Sequence, residues 1–413
     1  MYPKIHGYDE PDYVKEHIRD VEIVVGIPSR NTAHIIGYVV HNVDLGLSKY
    51  YPKAKAAIIV CDGLSSDSTI DVVKAIKKDV NNELLLVPNI LSRGKGGALK
   101  TIINIASRYS SAKALLFIDS DLRSITPEWI PLLIKGALEC GYATPLYTRH
   151  KFDATITNFI ARPLTTMAYG IDIKQPIGGD FGLSRELVNI LSQDILWEAN
   201  PWSYLFGVDI FITHTALANN IQVCESLLKA KIHEAKDPAK NLKKMFVEVT
   251  GSLFTSLVEY SYAWTKKHID RIVNPKVISR PEPPSMYPWE VGVDVDRALR
   301  VFKEGLEVYK NLYIRIMPRE LLDKIQNSDN GIDSRTWGKI LLHSFNYFVK
   351  EPRYLKRKAL LESLFYLWQG KLYNYYVSVL DLSNEEAENL VHRDVELVFS
   401  LRERFLEILA DLN

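Results

Sequence analysis

The chain has 413 residues, 47% hydrophobic and 24% charged, the balance of a globular protein, and its length suits two or three cores at the usual ~150 residues each. Its 51 basic and 50 acidic residues leave a net charge of +1, so no overall field draws in nucleic acid or an anionic membrane, and any anionic ligand needs a local site. The longest apolar runs fall far short of the ~20 residues that cross a bilayer, and residues 1–20 lack the apolar stretch of a secretory signal, so a cytoplasmic protein is expected.

After the extension 1–20, short β-branched runs alternate with helix-like segments: strands over 22–27, 56–61, 83–88 and 114–119, helices over 33–47, 68–78 and 96–107. This is βαβ grammar. Strands that read as unbroken Val, Ile and Leu are buried on both faces, which predicts a mainly parallel α/β sheet covered by helices across a domain 21–245. From 246 the pattern becomes helix after helix, over 246–267, 294–312, 336–348, 355–379 and 385–412, the last opened by a Ser383-x-x-Glu386 capping box. Within this helical domain, 246–413, a Pro-rich arm at 273–290 cannot be helical and reads as a connector. Cys61, Cys140 and Cys224 are widely spaced, odd in number and without a Cys-x-x-Cys pair, so neither a disulfide framework nor a zinc site is expected.

Ligands of such sheets bind beyond the carboxyl ends of the strands. Those ends carry Pro28-Ser29-Arg30-Asn31, Asp62-Gly63-Leu64-Ser65 and Asp119-Ser120-Asp121. Asp-x-Asp alone recurs by chance in most proteins. At the end of a buried strand, however, two hard carboxylates suit Mg²⁺ or Mn²⁺, which in turn suit a diphosphate leaving group. Arg93-Gly94-Lys95-Gly96-Gly97 opens a helix where backbone N–H groups and an ammonium can meet an anion, although a plain glycine helix entry explains it equally well. Gln175-Pro176-Ile177-Gly178-Gly179-Asp180 is a rigid turn ending in a carboxylate, the form needed where backbone approaches a sugar ring. His233 by itself reads as a lone surface histidine.

In this order the motifs resemble the retaining GT-A glycosyltransferases that make compatible solutes, the mannosylglycerate synthases and the glucosyl-3-phosphoglycerate synthases. The similarity runs from Val21 to about His233, and Leu364-Phe365-Tyr366-Leu367-Trp368-Gln369 looks like the tail of the mannosylglycerate synthases. The resemblance implies a Rossmann-like GT-A domain followed by a helical C-terminal domain. It also implies a nucleotide-sugar donor (UDP- or GDP-hexose), a homo-oligomer, and a Mg²⁺ or Mn²⁺ site drawn from Asp119, Asp121 and His233. By the same resemblance Pro28, Thr32, Asp62, Lys95 and Ser120 contact the nucleotide, and Gln175, Gly178, Gly179 and Asp180 the donor sugar. Asp209 and Lys95 are the catalytic pair. Thr32 stands where the family usually has Glu, Asp180 is one methylene shorter than the usual Glu, and Lys236 replaces a Tyr. Arg149, Asp153, Ala154 and Thr157 match the spacing that holds glycerate in mannosylglycerate synthases. Thr155 occupies the place of the phosphate-gripping Arg of the other subfamily, so glycerate is favoured over 3-phosphoglycerate, with Lys151 as the remaining basic group nearby. A nucleotidyltransferase would need a Gly-rich loop with a basic residue straight after the first strand, which Gly26-Ile27-Pro28-Ser29-Arg30 does not supply. A non-catalytic nucleotide-sugar binder would not need the metal and acceptor sets.

Overall fold

The computed structural model describes residues 2–410 apart from 93, 233–237 and 281–287. It divides into two compact units. The first comprises Met1–Thr148, Gln175–Lys236 and Pro275–Pro288. Its strands are β1 (Ile23–Ser29), β2 (Ala56–Asp62), β3 (Glu83–Pro88), β4 (Ala114–Phe117), β5 (Gly141–Thr148), β6 (Phe181–Ser184), β7 (Gln222–Ala230) and β8 (Lys276–Ile278). Over the described residues they form an eight-stranded sheet ordered β3-β2-β1-β4-β6-β5-β7-β8. β1 and β2 are buried at every position, as unbroken apolar strands must be when helices cover both faces. Helices Ile36–Tyr50 and Trp129–Cys140 supply Val39, Val43, Ile130 and Leu133 to the core on the face of Val25, Ile27, Ile58 and Val60. The other face takes helix Lys95–Tyr109 so closely that a Cβ on Gly26 would meet Ile102 at 2.8 Å.

Pairing is parallel except at β6, which runs antiparallel to both of its neighbours, β4 and β5. Two reversals restore the direction, so β4, β5 and β7 end at the same edge as β1 and β2. The reversed β6 begins there. The predicted strand 114–119 stops at Phe117, because the Asp119 N–H turns away from the ladder to donate to Asp180 Oδ1 at 2.8 Å. The Pro-rich arm, expected to be a plain connector, contributes β8 at the sheet edge; its residues 281–287 lie outside the described residues.

The cysteines depart from expectation. Cys140, closing helix Trp129–Cys140, and Cys224 in β7 form a disulfide with their Cα atoms 5.9 Å apart. β5 follows Cys140 directly and pairs with β7 in the register Ala143↔Cys224, so strand pairing joins two residues 84 apart in the chain. That adjacency cannot be read from spacing.

The second unit, Arg149–Lys174, Asp237–Asn274 and Trp289–Asn413, is helical. Its long helix Tyr354–Val379 buries Leu360, Leu361, Leu364 and Trp368, and Ser383 and Glu386 form the expected capping box. Three predicted helices are broken. The one over 294–312 is interrupted at Tyr309, between Val295–Val308 and Lys310–Ile316. The one over 246–267 runs instead as Pro238–Glu259 and a turn Ser261–Trp264, where the Trp264 indole N–H folds back to the Leu257 carbonyl at 2.9 Å. The one over 385–412 splits into Asn384–Phe399 and Arg402–Ala410, so that the buried Arg402 donates to the carbonyls of Met167, Ala168, Trp264 and Lys267. Periodicity shows the apolar face of a helix but not such a break. Among the described residues no helix is long and apolar enough to cross a membrane.

Candidate active site

The common strand edge in the first unit gathers the charged residues. Asp119 follows β4, Lys231 follows β7, Tyr147 is near the end of β5, and Asp180 directly precedes the reversed β6. Lys95 opens helix Lys95–Tyr109, and Asp209 lies in the first turn of helix Val208–Ala218.

These side chains form a row of alternating sign. Lys231 Nζ stands 2.8 Å from Asp180 Oδ2 and 2.6 Å from Asp119 Oδ2. Lys95 Nζ stands 2.9 Å from Asp119 Oδ1 and 3.1 Å from Asp209 Oδ2. The Tyr147 hydroxyl donates to Asp180 Oδ2. Burial by itself would favour the neutral form of each ionisable group, and the neighbours decide the outcome. Burial raises Asp119, but Lys231 and Lys95 together outweigh it and hold that carboxyl well below the usual range. Burial lowers Lys95, but Asp119 and Asp209 outweigh it and raise the ammonium. At Asp180 burial wins, reinforced by Asp119 and opposed by Lys231, and the pKa rises. Burial also wins at Asp209 despite Lys95, pushing it up to about 6, and its Oδ1 is buried with no hydrogen-bond partner.

Gly178 and Gly179 are required by the turn. Gly179 has φ +87°, and a Cβ there would lie 2.4 Å from Asp119 Oδ2. Gln175 Oε1, at the turn's start, is a second buried acceptor without a hydrogen-bond partner. Gly96 lies against the segment after helix Asp194–Ala199: its N–H donates to the Leu205 carbonyl at 3.1 Å, and a Cβ would come within 1.9 Å of the Ser203 carbonyl oxygen. Lys95 therefore starts its helix from a braced position.

On the side expected to meet the nucleoside, Pro28 and Asp62 are buried at paired strand ends. Asp62 accepts from the Tyr8 hydroxyl at 2.7 Å, the Ser65 N–H at 2.8 Å and the Ser65 hydroxyl at 2.5 Å. Thr32, standing where the family's Glu would be, faces inward: its N–H donates to Thr69 Oγ1 at 2.9 Å and its hydroxyl meets that of Ser29 at 3.0 Å. Ser120 is buried, and Asp121 is only partly so.

For a divalent ion, Asp121 is a hard oxygen donor of the kind Mg²⁺ and Mn²⁺ select. Both oxygens of Asp119 are engaged by lysines, so Asp119 contributes fixed negative charge. His233 lies outside the described residues, and among the described residues no three His, Cys, Asp or Glu side chains are grouped to hold a metal. Sequence reasoning passed over Lys231 and Tyr147. Lys231 carried one available signal, as a lysine at the end of an apolar strand beside His233.

The residues matched to glycerate binding lie in the second unit, where they fall at the start of the segment Arg149–Lys174. Arg149 Nη1 pairs with Asp153 Oδ2 at 2.8 Å, Ala154 takes the left-handed φ of 55°, and Thr157 is buried as it opens a π-helical turn, Thr157–Ala161. Such turns recur at functional sites. Lys151 is spent on architecture: Nζ donates to the carbonyls of Val379, Leu380 and Leu382 at 2.8, 2.7 and 2.7 Å, where the long helix ends.

Comparison with known proteins bears on the family of the chain. The mannosylglycerate synthase GT domain family matches residues 25–255. The mannosylglycerate synthase of Rhodothermus marinus is 21% identical over 385 residues, covering 86% of this chain and 89% of that protein. The glucosyl-3-phosphoglycerate synthase of Mycolicibacterium smegmatis is 27% identical over 224 residues, 50% of this chain and 68% of that protein. A crystal structure of glucosyl-3-phosphoglycerate synthase from Mycobacterium tuberculosis, in complex with Mn²⁺, UDP and glucosyl-3-phosphoglycerate, is 20% identical with a TM-score of 0.44, covering 63% of this chain and 87% of that one.

Proposed function

This chain belongs to the mannosylglycerate synthase family of glycosyltransferase domains, and on that footing we propose that it transfers a hexose from a nucleoside-diphosphate donor to D-glycerate with retention of anomeric configuration. Transfer to a glycerate-type acceptor follows from the family and its curated relatives. The observation that supports free glycerate over 3-phosphoglycerate is Lys151: its ammonium is committed to three main-chain carbonyls at and just beyond a helix end, and Thr155 has no charge to offer a phosphate.

In this reaction the bond from the anomeric carbon to the diphosphate breaks and a bond to the acceptor oxygen forms on the same face, the acceptor's proton passing to the departing phosphate oxygen. Lys95 supplies positive charge next to the leaving group. Asp209, ionised at neutral pH, offers its unpaired Oδ1 to the positive charge that develops on the sugar. Arg149 pairs with the carboxylate of glycerate and Thr157 orients it, so catalysis is mainly positioning and electrostatics. Asp121, together with His233, would hold a Mg²⁺ or Mn²⁺ ion, which when bound neutralises charge on the diphosphate.

The test is a matrix of UDP-glucose, GDP-glucose and GDP-mannose against glycerate and 3-phosphoglycerate, with products identified by mass and anomeric configuration by NMR. A glycosylglycerate of retained configuration is expected. Transfer to 3-phosphoglycerate far exceeding transfer to glycerate overturns the acceptor assignment.

A further inference from the structure

Lys231 is deeply buried, with 6% of its side chain exposed, and the reaction derived above gives it no task. An ammonium has three N–H donors. Three acceptors surround Lys231 Nζ: Asp119 Oδ2 at 2.6 Å, Asp180 Oδ2 at 2.8 Å and the Gly178 carbonyl at 2.7 Å. Asp119 belongs to the strand-end acidic motif, whereas Gly178 and Asp180 belong to the turn that begins at Gln175. One cation therefore ties the turn to the motif. The turn has no slack, since Gly179 in its left-handed conformation leaves a Cβ only 2.4 Å from Asp119 Oδ2 and 3.1 Å from Lys231 Nζ. Gln175 Oε1, the buried acceptor without a partner, sits at the start of the turn, where a sugar hydroxyl would satisfy it.

We propose that Lys231 is the positioning residue that fixes the affinity for the transferred hexose by holding the turn from Gln175 to Asp180, while Lys95 serves the diphosphate. The inference rests on the nucleotide-hexose reading above. The two lysines divide the donor: one acts on the leaving group, the other, through backbone, on the sugar. A second tie, the Asp119 N–H to Asp180 Oδ1, does not involve Lys231 and should keep the turn folded when the lysine is replaced.

Calorimetry in Mg²⁺ separates the two roles, with UDP compared with UDP-glucose and GDP with GDP-mannose. Lys231→Met removes the tie but leaves Asp119 and Asp180 facing each other, which threatens folding. The double variant Lys231→Met with Asp180→Asn is charge-balanced, retains an acceptor for the Asp119 N–H, and, read against Asp180→Asn alone because Asp180 is itself expected to meet the sugar, carries the test if the single variant does not fold. For whichever pair the wild type binds, both variants are expected to weaken the nucleotide-sugar about tenfold or more and the nucleoside diphosphate less than about threefold, the scale of one lost buried hydrogen bond to a charged group. An equal loss on both ligands, no loss on either, or recovery of wild-type selectivity in the double variant overturns the proposal. If the wild type binds neither of these nucleotide-sugars nor GDP-glucose, the functional reading falls and this inference with it. If the wild type binds and the variants match it, only the inference falls.

Discussion

Replacing Lys151 with Met separates a helix cap from a phosphate grip. The ammonium reaches the carbonyls of Val379 and Leu380 at the helix end and of Leu382 beyond it, at 2.7–2.8 Å, and the Val379 carbonyl also accepts from the Leu382 N–H. Hydrogen bonds from a charged donor contribute about 1.5–3 kcal/mol each where water is excluded. Here one bond is exposed and the other two only partly buried, and water can solvate the freed carbonyls, so the sum is discounted to about 1–2 kcal/mol, the upper part of the range for a cation at a helix C-terminus. In a unit of roughly 150–250 residues, 1 kcal/mol moves Tm by about 2–4 °C, so Lys151→Met should lower it by about 2–8 °C. The change should be seen by calorimetry of the whole chain. The ratio of kcat/KM for glycerate to that for 3-phosphoglycerate should stay within about threefold of wild type, because a capping lysine does not discriminate between acceptors. A variant of unchanged Tm that loses 3-phosphoglycerate selectively would refute the capping argument and show a phosphate at this position.

Arg149→Ala should reduce kcat/KM for glycerate about a hundredfold or more, from the ~2–4 kcal/mol of a partly buried carboxylate pair, whereas Thr155→Arg should improve 3-phosphoglycerate relative to glycerate; steady-state kinetics with both acceptors reads both. Asp209 carries a folded pKa of about 6 against 3.8 for the free group, so its stabilising contribution is complete below 3.8 and is lost as pH rises through about 6. Its ionised, working form appears over that same upper window, so kcat/KM should climb through about pH 6, and Asp209→Asn should remove that limb from the profile. EDTA should abolish transfer and Mg²⁺ or Mn²⁺ restore it, while Asp121→Ala should lose activity with its far-UV circular dichroism unchanged; full turnover in chelator would end the metal assignment.

The sheet was legible because buried parallel strands leave an unmistakable trace: the apolar runs at 56–61 and 83–88 coincide with β2 and β3 to within a residue. Their carboxyl ends then named Asp62, and the end of β4 named Asp119, by geometry alone. Lys231 was less visible, since its role depends on β6 reversing, and a four-residue strand such as Phe181–Ser184 is too short for a period-two signal. The helix break at Arg402 escaped notice because its partners, the carbonyls of Met167, Ala168, Trp264 and Lys267, lie far away in sequence. Lys151 shows the converse limit. A lysine beside the proposed acceptor motif reads as a ligand contact, and the three carbonyls it meets are not visible in the sequence.

The segment from Arg149 to Lys174 leaves one unit for the other and returns, and what anchors it has a bearing on engineering. Besides Lys151 at the end of the long helix, Phe159 offers its carbonyl to the Trp337 indole, Arg162 reaches Glu388 at 2.7 Å, and the carbonyls of Met167 and Ala168 receive Arg402. A chimera that moved only these 26 residues into a relative would bring the segment in without the tryptophan, the glutamate and the arginine that hold it here. On the proposed acceptor assignment, acceptor preference is therefore not a transplantable loop: the portable cassette is the whole helical unit, and a shuffled library that respects this boundary should yield more folded clones than one that cuts inside it.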